Sequence, residues 1–191
     1  MTMADFVTSD LSIKAGWLLP CERQASEHFN HRPEGGEIEL LVIHNISLPP
    51  GQFGSSDISD FFLGKLKIER HPFFQQIANL RVSAHCVIRR DGHLVQYVSF
   101  DQRAWHAGVS SFLGRDNCND FSIGIEMEGT DTCSYTDEQY SALAHLTMVL
   151  QQRYPKITSD RIAGHSDIAP GRKTDPGEAF DWPRYNKLIE P

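Results

Sequence analysis

The sequence predicts a single mixed α/β domain, a central mixed β-sheet flanked by helices, and three observations carry that expectation. Short β-branched, apolar runs recur along the chain ("ELLVIHNI", "SAHCVI", "LVQYVSF", "FSIGIEME"). One long segment, "TDEQYSALAHLTMVLQQRY", has helical character instead, and turn-rich stretches separate the rest. The length of 191 residues suits one domain, taken as 1–191 with its core from about residue 16. A chain of that size buries roughly 70% of its unfolded surface.

The elements follow in order. Residues 20–36, "PCERQASEHFNHRPEGG", are polar and turn-rich and are expected over the surface. Ile38 to Asn45 reads as a strand buried on both faces. After the loop "SLPPGQFGSS", Ser56 or Asp57 is positioned to cap a helix in "DISDFFLGKL". "VSAHCVIRRDGHLVQYVSF" is a hairpin with Asp91-Gly92 expected in a type I′ turn. "DFSIGIEMEGT" is a strand with Ile123 and Ile125 on one face and Ser122, Gly124, Glu126 and Glu128 on the other. In the long helix Thr136 and Gln139 form a capping box; Leu143, Leu146, Met148 and Leu150 supply apolar positions, and Pro155 ends it. Trp182-Pro183 opens a terminal helix, and the sheet is expected to hold four or five strands.

Composition is ordinary for a globular protein, with 40% hydrophobic and 23% charged residues. A formal net charge of −7 argues against nucleic acid as a partner. No apolar run approaches the ~20 residues of a membrane span, and "MTMADFVTSDLSIKAGWLLP" lacks the basic start and apolar core of a secretory signal. Cys21, Cys86, Cys118 and Cys133 contain no C-x-x-C pair and read as reduced thiols. Together these features favour the cytoplasm.

The candidate chemistry gathers in "GHSDIAPGRKTDPG". His165 and Asp175 lie ten residues apart there, and His44 ends a buried strand, where α/β proteins tend to place ligands. Two histidines and one carboxylate with an open position are an allowed catalytic zinc set. Singly, each is more often a hydrogen-bonded or turn residue; taken jointly, chemistry alone leaves the metal and structural readings level. Glu126 and Glu128 form either a solvated strand face or a base aimed at water. Gly124 beside them leaves room for a ligand, and Gly108, after Trp105-His106, permits close approach of one. Lys173 is a surface lysine or a cation near a developing oxyanion. His85 sits at a site edge or in the core, while His28, His31, His71, His93 and His145 are taken as surface residues.

The blocks "LLVIHNISLPPGQFG", "SAHCVIRRDG", "RAWHAGVS", "NDFSIGIEMEGTD" and "GHSDIAPGRKTDPGEAFDW" together resemble the cytosolic AmpD-type N-acetylmuramoyl-L-alanine amidases, from about Gly16 to the C-terminus. The resemblance implies the amidase/peptidoglycan-recognition fold and one zinc ion per chain. It implies that His44, His165 and Asp175 are the metal ligands, that Glu126 activates water, and that Lys173 faces the oxyanion. It places Asn45, Arg81, Trp105 and His106 along the substrate groove, where Arg81 would suit a peptide-stem carboxylate. The implied partner is an anhydro-muramyl peptide, cut between the lactyl group and L-alanine during peptidoglycan recycling. Three rivals are a muropeptide-binding module without catalysis, a general zinc peptidase and a structural zinc protein. The first is disfavoured because the ligand set and glutamate are intact, and the third because structural zinc usually takes four protein ligands.

Overall fold

Residues Leu40 to Ile43 are fully excluded from solvent, so the strand that contains them must be covered on both faces. A computed structural model shows how; it describes residues 11–190. The expectations about the first ten residues, including the start of the chain, lie outside the described residues.

Two short strands, β1 (Ser12–Lys14) and β2 (Trp17–Leu19), pair as a hairpin. β3 (Glu22–Arg23), β4 (Phe29–His31) and β5 (Leu40–Ile46) follow, then helices α1 (Asp57–Phe62) and α2 (Pro72–Ile77). Next come β6 (Cys86–Ile88), β7 (Leu94–Gln96), β8 (Gln102–Ala104), β9 (Ser111–Phe112) and β10 (Arg115–Asp116). β11 (Ser122–Glu128), α3 (Asp137–Arg153), β12 (Ile162–Gly164), α4 (His165–Ile168) and α5 (Trp182–Ile189) complete the chain.

The main sheet has six strands in the order β12-β5-β11-β6-β7-β3. β12, β5, β11 and β6 run parallel, and only the β6–β7 pair is antiparallel. β5 and β11 match residue for residue, from Leu40 opposite Ser122 to His44 opposite Glu126. Period-two alternation then sorts the faces. Leu41, Ile43, Ile123, Ile125 and Met127 pack against Tyr140, Leu143, Leu146 and Leu150 of α3. Leu40 and Val42 pack instead with Ala107, Phe121 and Ile168. His44 and Glu126 continue this second face. Among the described residues no helix is long and apolar enough to cross a membrane.

Several expectations change in detail. Residues 20–36 are not merely a surface stretch: β3 extends the sheet edge, which is why the sheet has six strands rather than four or five. The buried strand begins at Leu40 rather than Ile38. The β6–β7 hairpin closes without a type I′ turn. Only Gly92 has positive φ, at 79°, and its amide bonds the Arg89 carbonyl at 2.9 Å. Asp91 does not take positive φ, and its Oδ1 accepts the His93 amide at 3.0 Å, a pattern that fits a type I turn followed by a glycine bulge. α1 is not capped by the Ser56 or Asp57 side chain; Ser55 Oγ accepts the Asp57 amide at 3.1 Å, and the Asp57 carboxylate pairs with Arg70 at 2.7 Å. The Thr136–Gln139 capping box is present. Met148 faces solvent at 41% exposure, because Thr147 takes the buried position and bonds Tyr185 Oη at 2.7 Å.

Arg32 turns inward from the polar stretch. Its guanidinium donates to the carbonyls of Phe100, Asn119, Asp120 and Ser122 at 2.8 to 3.3 Å. Removing it strands several acceptors beneath the site. Arg32→Ala is expected to cost about 3 kcal/mol or more of unfolding free energy, to be read from urea denaturation midpoints; a loss under about 0.5 kcal/mol, the size of an ordinary surface change, would show that water replaces the guanidinium.

Candidate active site

Three neighbouring parallel strands bring their carboxyl-terminal halves to one edge, with β12 ending three residues before β5 and β11. β12 stops at Gly164 opposite Ile43, so His165, the first residue of α4, falls beside His44, and His44 is paired with Glu126 on the far side. The row His165–His44–Glu126 therefore arises from strand register, at the carboxyl ends where parallel sheets open a crevice. Asp175 completes it from the following loop. The Ser166 amide donates to the Asp175 carbonyl at 2.9 Å, and Thr174 Oγ1 donates to Asp131 Oδ2 at 2.5 Å.

His44 Nδ1, His165 Nδ1 and Asp175 Oδ2 lie 2.9, 3.0 and 3.1 Å from one another. Among the described residues this is the one group of histidines, cysteines and carboxylates whose donor atoms gather closely enough to hold an ion. His165 Nε2 lies 3.0 Å from the Ala107 carbonyl, which can only accept, so with an ion held the proton would sit on Nε2 and the Nδ1 lone pair would face the cluster. Burial pulls His44 down to about 4, against the hydrogen bond that the Asp175 carboxylate accepts, so its ring is neutral at pH 7. Burial works to raise Asp175, but hydrogen bonds to His165 and His44 outweigh it and hold the carboxyl well below the usual range. Two imidazole nitrogens and one carboxylate fit a zinc ion with an open position.

Glu126 faces the same cluster. Its Oε2 is buried without a hydrogen-bond partner. Burial, and then the Asp175 charge, push its carboxyl well above the ordinary value, and Lys173 pulls the other way. Glu128, the other candidate, is satisfied: it accepts from the Gly54 amide, Arg89 Nη1 and the Arg90 amide at 2.8 to 3.3 Å. Only Glu126 retains an oxygen for a reacting proton.

A cleft of about 350 Å³ opens over the row, bordered by His44, Asn45, Glu126, His165, Lys173 and Asp175 on one side. Trp105 and His106 flank it, and Phe61, Phe73, Ile77, Leu80 and Val82 form an apolar wall. Asn45 borders the cleft, but its Nδ2 donates to Asp131 Oδ1 at 2.8 Å and the Pro176 carbonyl at 3.1 Å. Arg81 is exposed and is not one of the bordering residues, although Leu80 and Val82 beside it are. Lys173 is exposed at the rim. Trp105 is held by Asn30 Oδ1 at 2.8 Å and stacks on His28, which is therefore no simple surface residue.

Two glycines serve differently from expectation. A Cβ at Gly124 would lie 2.4 Å from His106 Cγ, so its space is filled by that ring rather than left for a ligand. Gly108 lies against the Arg172 guanidinium, 3.3 Å from where a Cβ would stand. His85 belongs to the core beneath the site: the Gly124 amide donates to its Nδ1 at 3.0 Å and its Nε2–H donates to the Gln102 carbonyl at 3.1 Å. Burial, then Arg32, lowers it to about 3.

The family model for N-acetylmuramoyl-L-alanine amidases matches residues 34–178, which include the whole His-His-Asp cluster and Glu126. The chain belongs to the N-acetylmuramoyl-L-alanine amidase family. It is 59% identical to the 1,6-anhydro-N-acetylmuramyl-L-alanine amidase AmpD of Salmonella typhimurium (strain SL1344), covering 91% of this chain and 92% of that one. A crystal structure of a selenomethionine AmpD derivative superposes with a TM-score of 0.91 at 57% identity, over 93% of this chain and 99% of that one. The amidase AmiD of E. coli, solved with anhydro-N-acetylmuramic acid-L-Ala-D-γ-Glu-L-Lys as substrate, is more distant, with a TM-score of 0.59 and 27% identity over 93% of this chain and 65% of that one.

Sequence reasoning passed over Ser122, Asn119 and Arg172. Asn119 Oδ1 accepts the amides of His106 and Ala107 at 3.1 and 2.8 Å. Arg172 Nη2 donates to the carbonyls of Ala107 and Val109, both at 2.6 Å, and ties the Asp175 loop to the opposite rim. Ser122 Oγ lies 3.1 Å from His106 Nε2, and nothing in spacing distinguishes these residues from surface polar ones, since their partners are distant in sequence.

Proposed function

We propose that this amidase hydrolyses the amide between the lactyl group of (1,6-anhydro-)N-acetylmuramic acid and L-alanine in muropeptides, using one zinc ion, as a cytoplasmic step of peptidoglycan recycling. The observation that carries the proposal is the convergence of His44 Nδ1, His165 Nδ1 and Asp175 Oδ2 beside a buried, unpartnered Glu126 oxygen. The anhydro-muramyl preference is supported by the AmpD relative, and the cytoplasmic setting by four free cysteine thiols.

His44, His165 and Asp175 would hold the ion, which when bound supplies Lewis acidity to a carbonyl and to water. Glu126 accepts the proton of the attacking water as its oxygen bonds the lactyl carbonyl carbon. It then delivers that proton to the alanine nitrogen as the C–N bond breaks, leaving a muramyl carboxylate and a free peptide amine. Lys173 offers positive charge to the oxyanion that forms between these steps. Trp105 and the apolar side chains Phe61, Phe73, Ile77, Leu80 and Val82 give the rest of the cleft a nonpolar surface for the substrate.

Mass spectrometry of anhydro-muramyl tripeptide incubated with the protein tests this directly. Release of free tripeptide is expected, abolished by a zinc chelator and restored by added zinc. A folded, zinc-loaded protein that leaves the amide intact would overturn the reading, and tight binding without turnover would make it a recognition protein.

A further inference from the structure

His106 stands between the sheet and His44. Its Nδ1 lies 2.9 Å from His44 Nε2, its Nε2 lies 3.1 Å from Ser122 Oγ, and the two imidazoles meet edge-on at 86°. The ring rests directly on Gly124, and its backbone amide is fixed by Asn119 Oδ1. The two histidines of the cluster are therefore supported differently. His165 leans on a carbonyl, which admits one proton arrangement. His44 leans on another imidazole, which can either donate or accept.

That ambiguity has one solution compatible with an ion. For Nδ1 of neutral His44 to present its lone pair, the proton must be on Nε2, directed at His106 Nδ1. His106 must then accept there, which places its own proton on Nε2, directed at Ser122 Oγ. The hydroxyl accepts it. The chain Ser122–His106–His44 thus has a fixed polarity whenever an ion is held.

We infer that His106 is a positioning residue for the metal ligand His44: by accepting the His44 Nε2–H at Nδ1 it holds that ring in the ligating tautomer and orientation, and its role is exerted through His44 rather than by contact with substrate. The inference rests on the zinc reading above. Outer partners of ligating histidines typically contribute 10- to 100-fold in metal affinity.

The test is zinc affinity, measured by competition with a chromophoric chelator, on variants whose folding is checked by thermal unfolding. His106→Ala is expected to raise the zinc Kd about 10- to 100-fold. His106→Asn, whose Oδ1 falls near the position of Nδ1, should recover most of the loss; His106→Gln, whose amide falls near Nε2, should not. Should the larger truncation fail to fold, Ser122→Ala removes only the terminal acceptor and is expected to weaken zinc in the same direction by a smaller factor. In the zinc-loaded wild type, nitrogen-15 spectra should show a protonated His44 Nε2 protected from exchange, and that protection should be lost in His106→Ala. Unchanged zinc affinity in both His106→Ala and Ser122→Ala, with a raised KM for muropeptide, would overturn the inference and return His106 to the groove. A wild-type protein that binds no zinc would instead overturn the metal reading on which it rests.

Discussion

Glu126→Ala should lower kcat about 10³-fold while zinc remains bound at one ion per chain. The two readouts separate because Glu126 does not belong to the His-His-Asp cluster: its oxygen is near those donors but unpartnered. A general base must have a free lone pair within reach of its proton, and in Glu128, two residues along the same strand, both oxygens are already engaged by Gly54, Arg89 and Arg90. The unfavourable burial of Glu126 is the physical signature of a group kept for a transient partner. Turnover by single-turnover kinetics and zinc by atomic absorption, on the same preparation, decide the matter. A variant that retains most of its activity would remove Glu126 from the reaction, and one that loses its zinc would reassign it to the metal site.

Lys173→Ala should lower kcat about 10²-fold, close to 3 kcal/mol of barrier, with KM little changed. Lys173 is at the cleft rim, and its charge acts on both His44 and Glu126. An exposed lysine gains little from a neutral ground-state carbonyl but much from an oxygen that becomes negative, so the loss belongs in kcat. A raised KM with kcat preserved would make Lys173 a substrate-binding cation instead.

Much of the fold was legible because it depends on local pattern. β5 announces itself by a continuous apolar run, α3 by its capping box, and the β6–β7 hairpin by Asp91-Gly92. The less legible parts depend on partners distant in sequence. β3 is two polar residues, and only β7 beside it makes it a strand. Arg32 looks like a surface residue until four carbonyls are found around it. Gly124 and Gly108 are recognisable as places where side chains are forbidden, but what fills the space, His106 in one case and Arg172 in the other, is a tertiary fact. The candidate cluster follows the same division. His44, His165, Asp175 and Glu126 were picked out as residue types and by family resemblance. The pairing of His44 with Glu126 and the hydrogen bonds of Asn45 to Asp131 and Pro176 required the assembled sheet.

The residue-for-residue match of β5 with β11 also governs how this chain can vary in length. A single insertion or deletion ahead of either residue in its strand would shift the pairing by one, rotate His44 or Glu126 toward α3, and bring a neighbour round in its place: Asn45 or Met127 after a deletion, Ile43 or Ile125 after an insertion. Such a protein would keep its apolar inventory and lose its chemistry. β6, which lies between them in the chain and pairs with β11, is bound by the same register, whereas the loops that join the elements are freer, since a longer loop adds only a slowly growing closure entropy. Lineages of this domain should therefore accumulate gaps in the loops that join the elements, and almost none inside β5, β11 or β6.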